Sequence, residues 1–186
     1  PIEYLHRHNQ CMIDQREVGI DTSSFASGLR ASLRQDPDII LVGELRDLET
    51  IQTAITAAET GHLVLGTLHT TSAPSTIDRI IDVFPGPQQA QIRIQLASVL
   101  VSIISQRLFP TIDRQGRKVA TEILVNTPAV ANLIRNEKIH QIQNVMQTSK
   151  AQGMHTLDMS IKRLIQHGDI SRLSAESFLQ ESMHHA

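Results

Sequence analysis

The sequence predicts an α/β protein, and three observations support that class. Ile39–Val42 is an unbroken apolar run, which indicates a strand covered on both faces, as in the centre of a mostly parallel sheet. His62–His69 is a second apolar run, and a segment with helical spacing separates the two runs. A length of 186 residues is sufficient for one substantial core with a small helical appendage.

One weak strand and one helix are predicted before these runs. Cys11–Val18 has a weak strand pattern, and the side-chain oxygens of Asp21–Ser24 favour the start of a helix. The predicted helix covers residues 23–34, with apolar side chains at three- and four-residue spacing. These apolar residues are Phe25, Ala26, Leu29 and Leu33.

Two parallel strands joined by a helix carry the candidate site. A helix over residues 48–60 follows the first strand, and Gly61 is placed to end it. Because strand, helix and strand form a βαβ unit, the carboxyl ends of both strands lie at the same edge of the sheet, where ligands bind in such folds. Gly43, Glu44 and His69 are therefore expected to converge at that edge.

Structural roles are the alternative explanation of these polar residues. Glu44 and Arg46 could be solvated or paired with each other, and His69 could simply end a strand. His62 and His69 cannot share a metal ion, because the strand between them separates the two rings by about 23 Å. His69–Ser72 instead combines an imidazole with three hydroxyl groups, a set suited to positioning an anionic group.

The remainder of the chain is predicted to form two helices, a hairpin and a helical carboxyl-terminal region. A short helix over 74–83 places Ile77, Ile80 and Ile81 inward, and a long helix covers 88–106. Two apolar runs, 108–112 and 118–125, flank a polar turn and indicate the hairpin. The carboxyl-terminal helices are expected over 129–136, 137–147, 157–166 and 175–180.

Composition restricts the partners of the chain. With 19 acidic and 17 basic residues, its net charge of −2 favours neither nucleic acid nor an anionic membrane surface. Cys11 is the only cysteine, which argues against a disulfide framework and predicts a buried thiol in a reducing compartment. No apolar stretch is long enough to span a membrane. The chain begins at Pro1 on apolar sequence, so we expect that the first part of a larger protein precedes it.

Several segments resemble the motifs of the secretion and pilus ATPases, which are RecA-like hexameric motors. Leu33–Asp47 is similar to their signature sequence, Gly61–Ala73 to their histidine box, and Pro1–Tyr4 to the end of their aspartate box. Thr127–Arg135 resembles a motif of the branch whose motors retract type IV pili, with Ala131 where that motif usually has arginine. The cysteine-free hairpin also favours this branch, since motors that extend pili or drive type II secretion usually carry a tetracysteine zinc insert there.

The resemblance implies a fold and a function for the complete protein. The fold is a RecA-like P-loop NTPase core over residues 1–126, lacking the phosphate-binding loop, followed by a helical domain over 127–186. That loop has the form Gly-x-x-x-x-Gly-Lys-Ser/Thr, is not present in this sequence, and lies upstream in the family. The implied function is ATP hydrolysis that drives pilus retraction and twitching motility, by a cytoplasmic homo-hexamer acting on an inner-membrane platform protein. This chain alone is expected to be inactive.

The resemblance also implies roles for individual residues, with ATP and Mg²⁺ as cofactors. Glu3 would be the general base or orient the attacking water, Glu44 would hold Mg²⁺ through a water or share that task, and His69 would sense the γ-phosphate. Gly43 stands where such strands usually have aspartate, so no residue is assigned as a direct metal ligand. Residues implied to contact the nucleotide, within or across subunits, are Gly43, Arg46, His62, Thr70, Arg30 and Arg34.

Three alternative functions stay open at the level of the sequence. The chain could be a nucleotide-incompetent fragment or homologue that only assembles or docks. It could instead belong to a pilus-extension or type II secretion ATPase. A RecA-like recombinase that binds DNA is disfavoured by the acidic balance of the chain.

Overall fold

A computed structural model describes residues 1–184 as a mixture of helices and strands, which confirms the α/β class. The chain divides into two compact units, Pro1–Leu68 and His69–Ala186. The strands are β1 (Ile39–Val42), β2 (Leu63–Gly66), β3 (Ser102–Pro110) and β4 (Arg117–Val125). The α-helices are α1 (Phe25–Ser32), α2 (Leu48–Glu59), α3 (Ala73–Asp82), α4 (Gly86–Val99), α5 (Pro128–Arg135), α6 (Ile142–Thr148), α7 (Leu157–Gln166) and α8 (Arg172–His184).

The first unit is built on the predicted strand–helix–strand run. β1 and β2 pair in parallel, with Ile39 opposite Leu63 and Val42 opposite Gly66. Helices α1 and α2 pack on this pair, and their apolar stripes form a core with one face of β1. The buried residues of this core are Leu29, Ile40, Val42, Ala54 and Ala57. Both carboxyl ends therefore lie at the same edge of the sheet, as the sequence predicted.

Only one face of β1 is buried among the residues that the structure describes, so the prediction that both faces are covered is wrong. Ile40 and Val42 are buried, whereas Ile39 is 59% and Leu41 63% exposed. In β2, Leu63 and Leu65 are also exposed. An unbroken apolar strand indicates that both of its faces are apolar. The sequence of the strand does not determine which other element covers the second face.

The amino-terminal segment is irregular rather than a strand. Within Cys11–Val18 the structure has only an isolated bridge between Val18 and Thr22, which corrects the strand prediction. Cys11 is exposed, so the expectation of a buried thiol is also wrong. A short run of apolar residues forms a stable strand only when another strand supplies a hydrogen-bonded edge.

The second unit begins with two helices and an antiparallel hairpin. Ile77, Ile80 and Ile81 are buried on α3, as predicted. The long helix predicted to reach residue 106 ends at Val99, because Leu100 is extended and β3 begins at Ser102. β3 pairs with β4 over nine residues of each strand. Non-local pairing thus overrides the local apolar spacing, since each β3 residue gains a partner on β4.

Helices fill the carboxyl-terminal region from Pro128 onward. The predicted start at residue 137 is wrong, because Glu137 has a positive φ of 59° and a 3₁₀ turn, Ile139–Gln141, precedes α6. Helices α7 and α8 pack on the hairpin, where Phe109 and Ala120 join Ile161 in a buried cluster. Among residues 1–184, no helix is both long and apolar enough to cross a membrane.

Candidate functional site

Backbone pairing continues past the ends of β1 and β2 at their shared carboxyl edge. The Leu45 amide donates to the Thr67 carbonyl oxygen over 3.0 Å. The Thr67 hydroxyl in turn donates to the carbonyl oxygen of Gly43. These two bonds fix Gly43, Glu44 and Leu45 beside the end of β2. Thr67 was not singled out by the sequence analysis, since its role depends on which residue lies across the sheet.

Glu44 is oriented by an ion pair at this edge. Its Oε1 lies 2.6 Å from Nε of Arg46, and the side chain of Glu44 is 18% exposed against 71% for Arg46. The hydrogen bond and the charge of Glu44 raise the pKa of Arg46 above its ordinary value. The pairing expected under the structural alternative is thus present. It also leaves an exposed guanidinium and a partly covered carboxylate at the edge where ligands bind in α/β sheets.

Close packing around Leu45 holds this edge in place. A Cβ on Gly66 would lie 2.6 Å from Cδ1 of Leu45, so only glycine fits at the end of β2 without movement. Leu45 itself packs against the core of the first unit. On the other strand, a Cβ on Gly43 would be in ordinary contact with the ring of Phe25, at 3.4 Å. The backbone on either side of Glu44 is therefore in close contact with two other elements, with β2 at Gly66 and with α1 at Phe25.

Helix α2 begins directly after the site, and Asp47 caps it. The Asp47 carboxylate accepts hydrogen bonds from the amide of Thr50 at 2.9 Å and from its hydroxyl at 2.8 Å. These bonds lower the pKa of Asp47, chiefly through the Thr50 amide. The sequence analysis gave Asp47 no role, although an aspartate immediately before a helical pattern is a recognisable N-cap.

Arg30 lies in the last turn of α1 and Arg34 just after it, because the helix predicted to reach residue 34 ends at Ser32. Both line one open concavity with Ala31 and Leu33. Arg30 is held by Glu49 of α2, with Nη2 and Oε1 2.6 Å apart and both side chains 59% exposed. Such an exposed pair contributes little to stability because water screens it. The two guanidinium groups are accessible to an anion, and their contact with nucleotide stays a prediction.

His62 and Glu3 lie in other parts of the first unit. His62 immediately precedes β2, at the amino end, and its Nδ1 is 3.0 Å from the Ala57 carbonyl oxygen and 3.1 Å from the Thr60 hydroxyl. It therefore serves the end of α2 and is not brought to Glu44. Glu3 is exposed in the irregular amino-terminal segment, and its catalytic role remains a prediction.

His69 and Thr70 open the second unit. His69 is exposed, and the hydroxyl of Thr70 lies 2.7 Å from that of the buried Thr76 on α3. Ser72 caps α3 through a reciprocal pair of bonds with Ser75. Since Glu44 belongs to the first unit and His69 to the second, their convergence on one site stays a prediction.

The resemblance implies a bound Mg²⁺ ion, which protein carboxylates would help to hold. Residues 1–184 contain no group of three or more His, Cys, Asp or Glu side chains placed to hold a metal ion. Mg²⁺ in nucleotide sites is held mainly by phosphate oxygens and water, with one or two protein carboxylates. A single partly covered carboxylate at Glu44 fits that indirect type of contact.

Comparison with known proteins gives a consistent result. A family model described as "Type II/IV secretion system protein" matches residues 1–176. The type IV pilus retraction ATPase PilT of Pseudomonas aeruginosa is 55% identical over 94% of this chain and 51% of its own length. A twitching motility protein of Neisseria gonorrhoeae is 51% identical over 98% of this chain and 49% of its own length.

Solved structures agree with these sequence matches. A crystal structure of the pilus retraction motor PilT with bound ADP superposes with a TM-score of 0.86 at 51% identity, covering 94% of this chain and 49% of that one. The chain thus spans about half the length of the relatives it matches.

Proposed function

Because the chain belongs to the family of type II/IV secretion system proteins, we propose that it forms the carboxyl-terminal half of an ATP-hydrolysing motor that retracts type IV pili. One observation carries the proposal: Glu44, oriented by Arg46, stands at the carboxyl edge of a parallel strand pair. Similarity to a retraction ATPase over 94% of the chain supports it. The cysteine-free hairpin of β3 and β4 supports the retraction branch over the extension and type II secretion branches.

Phosphoryl transfer to water needs little covalent work from a protein. Catalysis consists of aiming the water and stabilising the negative charge on the transferring group. In this proposal the Glu44 carboxylate orients the water or a magnesium-bound water, and Arg46 keeps that carboxylate in place. Bound Mg²⁺ would neutralise charge on the phosphate oxygens. Arg30, Arg34 and the exposed end of Arg46 supply positive charge for the nucleotide.

Glu3, His69, Thr70 and Gly43 complete the proposed site. Glu3 shares the base role, His69 senses the γ-phosphate, and Thr70 and Gly43 lie along the nucleotide. His62 does not join this group within the chain, since its ring bonds to the end of α2 at the amino end of β2.

The assembly follows from the same proposal. The motor is a cytoplasmic homo-hexamer, peripheral to the inner membrane, that pulls on a platform protein and binds no nucleic acid. Its ATPase core covers residues 1–126, and the helical domain covers 127–186. The change from the hairpin to helices at Pro128 supports this boundary, whereas the hairpin and these helices belong to one compact unit.

Replacing Glu44 with Gln tests the catalytic role directly. In a full-length protein carrying this sequence, E44Q removes the charge and keeps the size of the side chain. We expect kcat for ATP hydrolysis to fall by at least about 100-fold, with the nucleotide dissociation constant changed by less than about 3-fold. Glu176→Gln, the same exchange at an exposed position on α8, is the matched control. Hydrolysis by E44Q at the rate of the control would remove Glu44 from the mechanism.

A docking module is the alternative function, and a binding measurement separates the two. Calorimetric titration of ATP with Mg²⁺ into this 186-residue chain reports its affinity without the rest of the motor. A micromolar dissociation constant would contradict the docking-only function. A full-length protein that assembles but neither binds nor hydrolyses ATP would contradict the motor.

A further inference from the structure

Glu122 of β4 is a buried carboxylate that the proposed chemistry does not use. Only 3% of the surface of Glu122 is exposed. Oε1 accepts a hydrogen bond of 2.7 Å from the backbone amide of Ala73. The nearby backbone amide of Leu157 also favours the charged form of the carboxylate and so acts to lower its pKa. A buried carboxylate is costly unless polar partners replace its water. The Ala73 amide provides the hydrogen bond, and the Leu157 amide adds a favourable dipole.

Both amides belong to the first residues of helices. Ala73 begins α3, and Leu157 begins α7. The amide at this position has no carbonyl partner inside its own helix, and the helix dipole makes it attractive to negative charge. One carboxylate therefore interacts with the starts of two helices that lie 84 residues apart along the chain, at residues 73 and 157. A single side chain in this arrangement acts as a link between them.

The bonds at the start of α3 show why Glu122 is needed there. Ser75 donates its amide to the Ser72 hydroxyl, and Thr76 donates to the Ser72 carbonyl oxygen. Pro74 has no amide hydrogen. Ala73 is therefore the one amide among residues 73–76 that depends on a distant acceptor, and Glu122 is that acceptor. The segment 69–72, which carries His69 and Thr70, immediately precedes the anchored residue Ala73.

Several further bonds hold β4 to the start of α7. The Thr121 amide donates to the Ser160 hydroxyl over 3.1 Å, and the Thr121 hydroxyl lies 2.9 Å from Nε2 of His155. Ile123 and His155 exchange backbone bonds of 2.9 and 3.2 Å. The anchor of α3 thus lies on a strand that is itself hydrogen-bonded to α7 and to the residue before its cap.

We propose that Glu122 is a positioning residue, which fixes the His69–Ser72 segment relative to the helical carboxyl-terminal region and so holds His69 in place for catalysis. This role rests on the proposed ATPase function, because His69 has its task there. Glu122 itself does not touch the nucleotide in this proposal. Movement of the carboxyl-terminal helices would reach the His69 segment through this carboxylate.

Two substitutions test the link. Glu122→Gln keeps the shape but replaces one acceptor oxygen with an NH₂ group and removes the charge. Glu122→Asp keeps the charge but shortens the side chain by one methylene group, and it serves if the first variant fails to fold. Glu176→Gln on α8 is the matched exposed control. Thermal unfolding of each variant defines a temperature at which all are folded.

The first readout needs no enzymatic activity. On this chain, amide hydrogen exchange at Ala73 and Leu157 and the ring resonances of His69 are recorded by NMR. We expect exchange at both amides to rise at least about 10-fold in the Glu122 variants and the His69 resonances to shift, with no change in the control. Unchanged exchange and unchanged His69 resonances would overturn the proposal.

The second readout is kinetic and uses full-length protein. We expect kcat to fall by about 10- to 100-fold, with KM for ATP within about 2-fold of wild type, because misplacement by about 1 Å can cost that much in rate. A merely structural role would lower the unfolding temperature and leave kcat unchanged when all variants are folded. That result, with active wild-type protein, would overturn the positioning role. Inactive wild-type protein would instead refute the proposed function, while the exchange data still decide whether Glu122 anchors the segment.

Discussion

Replacing Gly66 with Ala should disturb the candidate site through packing alone. The new Cβ would lie 2.6 Å from Cδ1 and 2.9 Å from Cγ of Leu45. Carbon atoms in good contact are about 3.5–4.0 Å apart, so the Leu45 side chain must move by about 1 Å. Because Leu45 packs against the core of the first unit, this movement costs free energy. We expect G66A to destabilise that unit by about 1–3 kcal/mol.

A double-mutant cycle identifies the cause of the loss. Leu45→Ala removes the atoms that the new Cβ would strike, so the second substitution should cost less in the G66A background than in wild type. We expect a coupling free energy of about 1–2 kcal/mol between the two sites. Gly86→Ala is the matched control, since a Cβ on Gly86 would meet no atom within 4 Å.

Urea titration of the full chain provides the measurement. The amide signals of β1 and β2, followed by NMR, report unfolding of the first unit directly. With a slope near 2 kcal/mol per M urea, a loss of 2 kcal/mol lowers the midpoint by about 1 M. The packing argument would be refuted if G66A unfolded at the midpoint of the Gly86→Ala control, or if the effects of G66A and Leu45→Ala were additive.

Two predictions concern the carboxylates of the fold. Asp47→Ala should destabilise the first unit by about 1 kcal/mol, because α2 loses its N-cap, whereas Asp47→Asn should cost less. Hydrogen bonding lowers the pKa of Asp47, so the stability lost in Asp47→Ala is fully present above the ordinary aspartate pKa of about 4. The loss shrinks as the pH falls through the depressed pKa of Asp47. A loss of stability that is constant down to pH 2 in chemical unfolding would contradict the cap. Burial raises the pKa of Glu122, so the native state binds a proton more tightly than the unfolded state. The stability of wild type relative to Glu122→Gln should therefore decrease as the pH rises above the ordinary glutamate pKa of about 4, and an increase would show that the carboxylate is stabilised as the anion.

Local patterns in the sequence predicted most of the helices and the parallel strand pair. α3 follows its isoleucine spacing, and α7 covers the same residues as predicted. Such patterns work because a helix buries one stripe of its own surface and a capping serine bonds to residues three positions away. The apolar run Ile39–Val42 placed Gly43 and Glu44 at the end of β1, which the structure confirms.

Predictions failed where a distant partner decides the conformation. Ser102–Gln106 continues a helical pattern, yet it forms part of β3 because β4 supplies hydrogen-bonding partners over nine residues. Cys11–Val18 has the residues of a strand but pairs with no neighbouring strand among residues 1–184. Cys11, which begins this irregular segment, is exposed.

The amino-acid sequence by itself determined the α/β class, the order of most elements and the carboxylate at the edge of the parallel pair, because these depend on spacing within one element or its immediate neighbours. Only the tertiary structure decided that Leu45 leaves room for nothing larger than Gly66, and that Glu122 accepts a hydrogen bond from the first amide of α3. These contacts involve atoms from separate elements, and their distances exist only after the chain has folded.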